Sequence, residues 1–261
     1  LKIICLIKQV PDTTDIKINP ETNTLIREGV PSIINPFDMY AIEEGLRIRE
    51  KLEGEVIAIS MGPPQAEEAL REALSLGVDR AILLSHPAFA GADTLATSHT
   101  LARAIEKLSP YDLILCGRQA SDGDTGQVGP GVAEHLSIPQ VVFVSRIEEI
   151  NLKLAIVQRM TEDGYEVIQT PLPALLTVVK EINEPRLPSL RGKLKAKKAE
   201  IPVWGLDELG VKEEEVGLNG SPTQVLRVFT PQPREKGEIW EGDPAEVADK
   251  LYARLKESHL L

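Results

Sequence analysis

Five short runs of aliphatic and β-branched residues punctuate the first half of the chain: IICLI, VIAI, AILL, LILC and VVFV. Runs this apolar and this short suit strands buried on both faces, as in a parallel sheet. They place strands at Lys2–Ile7, Glu55–Ser60, Arg80–Ser85, Asp112–Cys116 and Gln140–Ser145. Between them lie stretches with a helical period. Asp38–Leu52 carries Ile42 and Leu46 on one stripe, Pro64–Leu76 carries Ala69, Leu70, Ala73 and Leu74, and Thr94–Leu108 carries Leu101, Ala104, Ile105 and Leu108. Gln127–Leu136 is a shorter helix. A strand–helix succession of this kind folds as an α/β protein with an open, doubly wound, mostly parallel sheet.

The rhythm changes after residue 150. Leu152–Arg159, Tyr165–Gln169 and Ala174–Val179 read as antiparallel strands, with Glu162-Asp163-Gly164 turning the first into the second. From Asn183 to about Trp240 the chain is proline-rich and has little apolar period, too long for a structureless loop inside a domain. It reads as an arm lying on a partner. Within it, RGKLKAKK (Arg191–Lys198) is a basic run that either meets an acidic partner or faces solvent. The chain closes on a helix with Asp243 as N-cap, Pro244 at its first position, Glu246 at capping-box spacing, and Val247, Leu251 and Leu255 as an apolar stripe. The expected division is an α/β domain over 1–182 and an arm with a terminal helix over 183–261. No repeat of fixed period occurs.

Composition removes several functions. With 29 Lys and Arg against 40 Asp and Glu the net charge is −11, which repels nucleic acid. Aromatic residues are 4%, too few for base-stacking surfaces. No apolar run is long enough to span a membrane, and LKIICLIKQVPD is too short an apolar stretch for a signal peptide. Cys5 and Cys116 sit in apolar runs and read as core residues, and the four histidines form no ligand cluster, so neither a metal centre nor a disulfide is expected. No Ser-His-Asp set, paired-carboxylate site or Cys-His pair is visible, so any redox or group-transfer chemistry requires a bound cofactor.

In a parallel sheet ligands bind where strands end. After the fourth strand comes GRQASDGDTGQVGPGVAEHL, from Gly117 through Arg118, Gln119, Ala120, Ser121, Asp122, Gly123, Asp124, Thr125, Gly126, Gln127, Val128 and Gly129 into a helix. Glycines let backbone N–H groups approach a ligand and the helix adds its positive end, so a phosphate is the natural guest. Glycine content alone also fits a flexible connector. The segment lacks the endings of a P-loop and the spacing of a dinucleotide fingerprint. Asp122 and Asp124 would repel a phosphate they faced, and so cap the helix, brace the loop or accept from a ribose hydroxyl. After the third strand, Asp93, Thr94, Thr97 and Ser98 surround a helix start, where they either cap it or bond a ring edge or phosphate. Met61 follows the second strand and is suited to a flat ring or to the core. Asn35, held extended by the proline after it, either reads an adenine edge or caps a turn.

Four segments carry a resemblance: VPSIINPFDMYAIEEGLRIRE, SMGPPQAEEALREALSLGVDRAILL, GRQASDGDTGQVGP, and QRMTEDGYEVIQTPLPALLTVVKEINEPRLPSL. In order and spacing, along essentially the whole chain, the sequence resembles the β subunit of electron-transfer flavoprotein. The resemblance implies a Rossmann-like core similar to adenine-nucleotide hydrolases, a heterodimer whose α subunit carries one FAD, and an arm that embraces that subunit. It implies that Leu6, Asn35, Ala58, Met61 and the loop from Gly117 to Val128 touch a buried nucleotide, and that Leu190 anchors a partner-recognition loop. The family divides by that nucleotide. One group keeps AMP as a structural ligand. The other keeps a second FAD, oxidises NADH and bifurcates, sending one electron to ferredoxin or flavodoxin and the other through the α-subunit FAD to an acyl-CoA dehydrogenase or quinone reductase. GADTLATS together with GRQASDGDTGQVGP resembles the bifurcating group, the AMP group having a bulkier loop where Gly126 stands. Gly126, Gly129 and Gly131 are then expected to leave room for a pyrophosphate, with Thr94 and Thr97 bonding the isoalloxazine edge. The lack of a targeting segment and the unpaired thiols suggest a bacterial or archaeal cytoplasm. A stress protein or a nucleotide-hydrolase-like domain would leave the arm and NEPRLPSL unexplained.

Overall fold

The apolar runs become the inner strands of one sheet. The computed structural model describes residues 1–12, 18–19, 24–25, 31–226 and 237–261; parts of the excursion after the first strand and of the expected arm lie outside these. In chain order the elements are β1 (Lys2–Leu6), β2 (Gln9–Pro11), β3 (Ile18–Asn19), β4 (Thr24–Leu25), β5 (Ser32–Ile34), α1 (Pro36–Leu52), β6 (Glu55–Met61), α2 (Glu67–Leu76) and β7 (Arg80–Leu84). There follow α3 (Thr94–Lys107), β8 (Leu113–Gly117), α4 (Val128–His135), β9 (Gln140–Ile150), β10 (Leu154–Met160), β11 (Tyr165–Pro171) and β12 (Ala174–Val178). Last come α5 (Leu190–Lys198), β13 (Val203–Trp204), α6 (Leu206–Leu209) and α7 (Pro244–Glu257). A 3₁₀ turn, Pro64–Ala66, makes up the start of the stretch expected to be wholly α-helical.

The large sheet has nine strands in the order β11-β10-β9-β12-β8-β1-β6-β7-β13. From β9 through β12, β8, β1, β6 and β7 to β13, every neighbouring pair is parallel. Alternate residues of β1 serve two cores. Ile3 and Cys5 join the layer of α1 and α2, and Ile4 and Leu6 join the layer of α3 and α4. This is the doubly wound architecture read from the sequence. The 161–164 turn closes β10 onto β11 as expected, with Thr161 N–H donating to Gly164 O at 2.8 Å.

Three expectations change. Ala174–Val178 is not antiparallel: it enters the middle of the sheet, parallel to both β8 and β9. All five residues, ALLTV, are buried, the mark of a strand covered on both faces, whereas β11 is mostly exposed. β9 runs on to Ile150, pairing with β12 at its start and with β10 along its second half.

The third change concerns the arm. Contacts group the chain into 1–226 and 227–261, not at 182/183. Residues 190–198 form α5 on α2, where Ala196 is buried, and β13 extends the sheet beyond β7. The second unit contains α7, which has no buried residue. Asp243 caps it through Ala245 N–H at 2.9 Å, without a reciprocal bond from Glu246. Among the described residues, no helix is long and apolar enough to cross a membrane.

Candidate functional site

The order in which strands are added reverses between β1 and β8. From β1 the chain moves through α1 to β6 on one side, whereas β8 leads through α4 to β9 on the other. The two connections diverge, so a crevice opens at the carboxyl ends of β1 and β8. Leu6 and Gly117 are the last residues of these strands, and the glycine-rich loop leaves from Gly117.

The start of α1 organises this crevice. Pro36 occupies its first turn, where the missing N–H is no loss. That fixes Asn35, buried, whose amide donates to Gln119 O at 2.8 Å and whose carbonyl accepts from Ser121 N–H at 3.1 Å. Asp38, one turn on, accepts from Lys8 N–H at 2.8 Å through one oxygen and from Gly117 N–H at 3.0 Å through the other. The Lys8 ammonium reaches Asp122 at 2.7 Å. Gly117 is required here: a Cβ would lie 2.5 Å from Phe37 Cβ and 2.6 Å from Asp38 Oδ1. Within the loop, Gly123 and Asp124 donate their N–H groups to Ala120 O, and the Gln119 amide bonds the Asp124 carboxylate. Asp122 and Asp124 therefore brace the loop.

Two polar atoms at this rim have no hydrogen-bond partner among the described residues. Arg118 stacks its guanidinium over the Phe37 ring at 4.7 Å and leaves Nε unpaired, and Ser60, near the end of β6, leaves Oγ unpaired. Buried polar groups are seldom left so. The glycines differ in kind. At Gly123 the nearest atom to an added Cβ is Lys8 Nζ at 4.0 Å, and Gly126 has φ +63° with Arg118 O at 3.4 Å, so space beside both is open. Gly129 and Gly131 make no such room. A Cβ on Gly129 would lie 2.8 Å from Thr177 Cγ2 and 2.9 Å from Cys116 Sγ, and one on Gly131 2.7 Å from Ser98 Oγ. They seat α4 against the sheet and α3, which corrects the expectation of a pyrophosphate space there.

The remaining expected residues separate by position. Met61 ends β6 at the rim, half-buried. Ala58 does not reach the rim: it lies in the middle of β6 between Cys5 and Ala81, with no exposure. Asp93 caps α3 through Leu95 and Ala96 N–H, and also accepts from the backbone and hydroxyl of Thr223. Burial pushes its carboxyl up, but the Ala96, Thr223 and Leu95 donors outweigh that and hold it below the ordinary value. Thr94 donates to Gln127 Oε1 at 3.2 Å, linking α3 to the start of α4, while Thr97 lies in the first turn of α3, half-buried. Ser121 and Thr125 are exposed, Ala120 half-buried, and Val128 begins α4, whose N-terminus no side chain caps. Leu190, at the start of α5, is 77% exposed. Sequence reasoning missed Asp38, Lys8 and Ser60. The only signal for Asp38 was an acid in a first helical turn, where acids are common.

A doubly wound sheet with a braced glycine loop at its switch point defines a class, the α/β proteins that carry a ligand at the carboxyl rim of a parallel sheet. The electron transfer flavoprotein domain matches residues 22–209. The chain is 54% identical, over the whole of both chains, to the electron transfer flavoprotein subunit beta of Thermoanaerobacterium thermosaccharolyticum. It is 51% identical, again over the whole of both, to the caffeyl-CoA reductase-Etf complex subunit CarD of Acetobacterium woodii. It is 45% identical to protein FixA of Azotobacter vinelandii, over 98% of this chain and 95% of that one. The chain belongs to the electron transfer flavoprotein family, as a beta subunit.

Proposed function

We propose that this beta subunit pairs with a flavin-carrying α subunit and holds an FAD of its own in the crevice between the β1 and β8 ends. FAD, when bound, supplies acceptance of a hydride from NADH and the parting of two electrons, toward ferredoxin or flavodoxin and, by way of the α-subunit FAD, toward an acyl-CoA dehydrogenase or quinone reductase. The chain's own residues bind and orient. Asn35 and Asp38 fix the loop to β1, the open positions Gly123 and Gly126 admit a phosphate close to backbone N–H groups, and Arg118 supplies a stacked cation with an unpaired Nε. No side chain here is needed as acid or base for a hydride transfer. The observation that carries the reading is the glycine-rich loop held at the switch point by Asn35 and Asp38, with the Cβ positions of Gly123 and Gly126 open. The likeness to CarD, named for a caffeyl-CoA reductase-Etf complex, supports the bifurcating form. Leu190 and the exposed basic face of α5 are the proposed contact with the dehydrogenase.

One observation favours a second reading, a carrier subunit holding AMP. The space beside Gly129 and Gly131 is filled by Thr177, Cys116 and Ser98, so room for a second phosphate is confined to the Gly123–Gly126 turn. Co-purification with the α subunit and extraction of nucleotides distinguishes the two. The proposal expects two FAD per heterodimer and flavin bleaching on addition of NADH. One FAD and one AMP would overturn it.

A further inference from the structure

Asp93 spends its two carboxylate oxygens on different parts of the chain. Oδ1 accepts from Leu95 and Ala96 N–H, each at 3.0 Å, and so caps α3. A helix cap needs no more than that. Oδ2 accepts from the Thr223 hydroxyl at 2.8 Å and from Thr223 N–H at 3.1 Å, 130 residues further along the chain. The Asp93 N–H in turn donates to Ser221 Oγ at 2.8 Å. One residue thus holds the start of a helix and the end of the segment 211–223.

That segment is fastened unevenly. Up to Ser221, packing and backbone bonds hold it. Val211 and Val216 are buried in the layer of α3 and α4. Leu218 N–H donates to Ala90 O at 3.0 Å, and Gly217, at φ +56°, passes so close that a Cβ would lie 1.8 Å from Ala88 O. Beyond Ser221 this stops. Residues 222–226 are all exposed, and the bonds from Thr223 to Asp93 are the only hydrogen bonds they make among the described residues. Val225 and Leu226 are 68% and 85% exposed. Leu226 ends the α/β unit, and the chain continues into the unit that contains α7. Asp93 is therefore the last hydrogen-bonded hold on the chain before it leaves that unit. On its other side, Thr94 donates to Gln127 Oε1 at 3.2 Å, where the glycine loop enters α4. From Thr223 to the loop there is one carboxylate, one peptide bond and one hydrogen bond.

We infer that Asp93 is a positioning residue that links two binding events: through Thr223 on one side and the Thr94–Gln127 bond on the other, binding of the α subunit and binding of a nucleotide in the crevice each favour the other. The inference rests on the proposed nucleotide reading of the crevice. Its physical basis is ordering. A partner that covers Val225 and Leu226 holds Thr223 on Asp93, and with it Thr94 toward Gln127, so the ordering that nucleotide binding requires at this end of the loop is already done. Linkage is reciprocal, so a bound nucleotide tightens the α subunit by the same factor.

The test uses the full β chain, stripped of bound nucleotide, with and without an α subunit saturated with its own FAD. Affinities for AMP and for FAD are measured in each state, and affinity for the α subunit is measured with and without nucleotide. The link expects the α subunit to tighten nucleotide binding at least about fivefold, and nucleotide to tighten the α subunit equally. Thr223→Val removes the hydroxyl and sets a methyl group against the carboxylate, which displaces the N–H bond as well. Because Thr223 is exposed, the urea midpoint of the variant should not move, and its nucleotide affinity without the α subunit should stay within about twofold. The coupling factor should instead fall close to one. Thr223→Ser keeps the hydroxyl and should keep the factor, a rescue that a merely structural contact would not show in this readout. A wild-type factor of one, a factor that survives Thr223→Val, or an α subunit that weakens nucleotide binding would each overturn the link and leave the nucleotide reading standing. Binding of neither AMP nor FAD in either state would overturn both.

Discussion

Gly129 and Gly123 lie in one glycine-rich segment and do different work. Gly129 is where α4 meets the sheet, with Thr177 and Cys116 against it, while Gly123 faces only the end of the Lys8 side chain. Gly129→Ala should therefore overpack a tight contact and cost about 1–3 kcal/mol, read as a lowered urea midpoint. Gly123→Ala should leave that midpoint within about 0.5 kcal/mol and weaken nucleotide binding instead. Asn35 and Asp38 show the same division between readable and hidden roles. The sequence offers Asn35 through its proline neighbour. It does not offer Asp38, because the bond that defines Asp38 reaches a glycine 79 residues away.

Among the elements, α5 departs most from its sequence. RGKLKAKK looks like a free basic run, yet it is a helix docked on α2. Gly192 approaches so closely that a Cβ would lie 2.2 Å from Ser75 O, and Arg71 donates to Ala196 O at 2.6 Å at the end of the helix. The segment leading to it is fastened to α1 by Arg186, which bonds the buried Glu43 at 2.7 Å and also pairs with Glu50. Arg186→Met should leave the Glu43 charge without that partner. Because the arginine is about a third exposed, the loss is reduced to about 1–3 kcal/mol. Limited proteolysis should then cut within 183–190 faster, with nucleotide affinity unchanged. β12 teaches a related lesson. Its neighbours in sequence are hairpin strands, but its five buried residues send it to the centre of the sheet.

At the scale of the whole molecule, the contacts separate 1–226 from 227–261. Nothing in α7 is buried, although Leu251 and Tyr252 are apolar and 49% and 60% exposed. A chain ending at Leu226 should unfold at the same urea concentration as the α/β unit of the full chain, within about 0.5 kcal/mol. Its association with the α subunit should weaken, measured by co-purification. An unchanged association would remove the terminal helix from the proposed interface.

The inner strands, the helices between them, the hairpin turn and the glycine loop follow from the sequence, because strands covered on both faces must be aliphatic and turns need their special residues locally. The family also follows, since it rests on ordered segments of residues. The position of β12, the docking of α5, the burial of Ala58 away from the rim and the bond from Asp38 to two strand ends arise only in the folded chain. Each depends on which residues distant in sequence meet across the sheet, and no local period or propensity encodes that meeting.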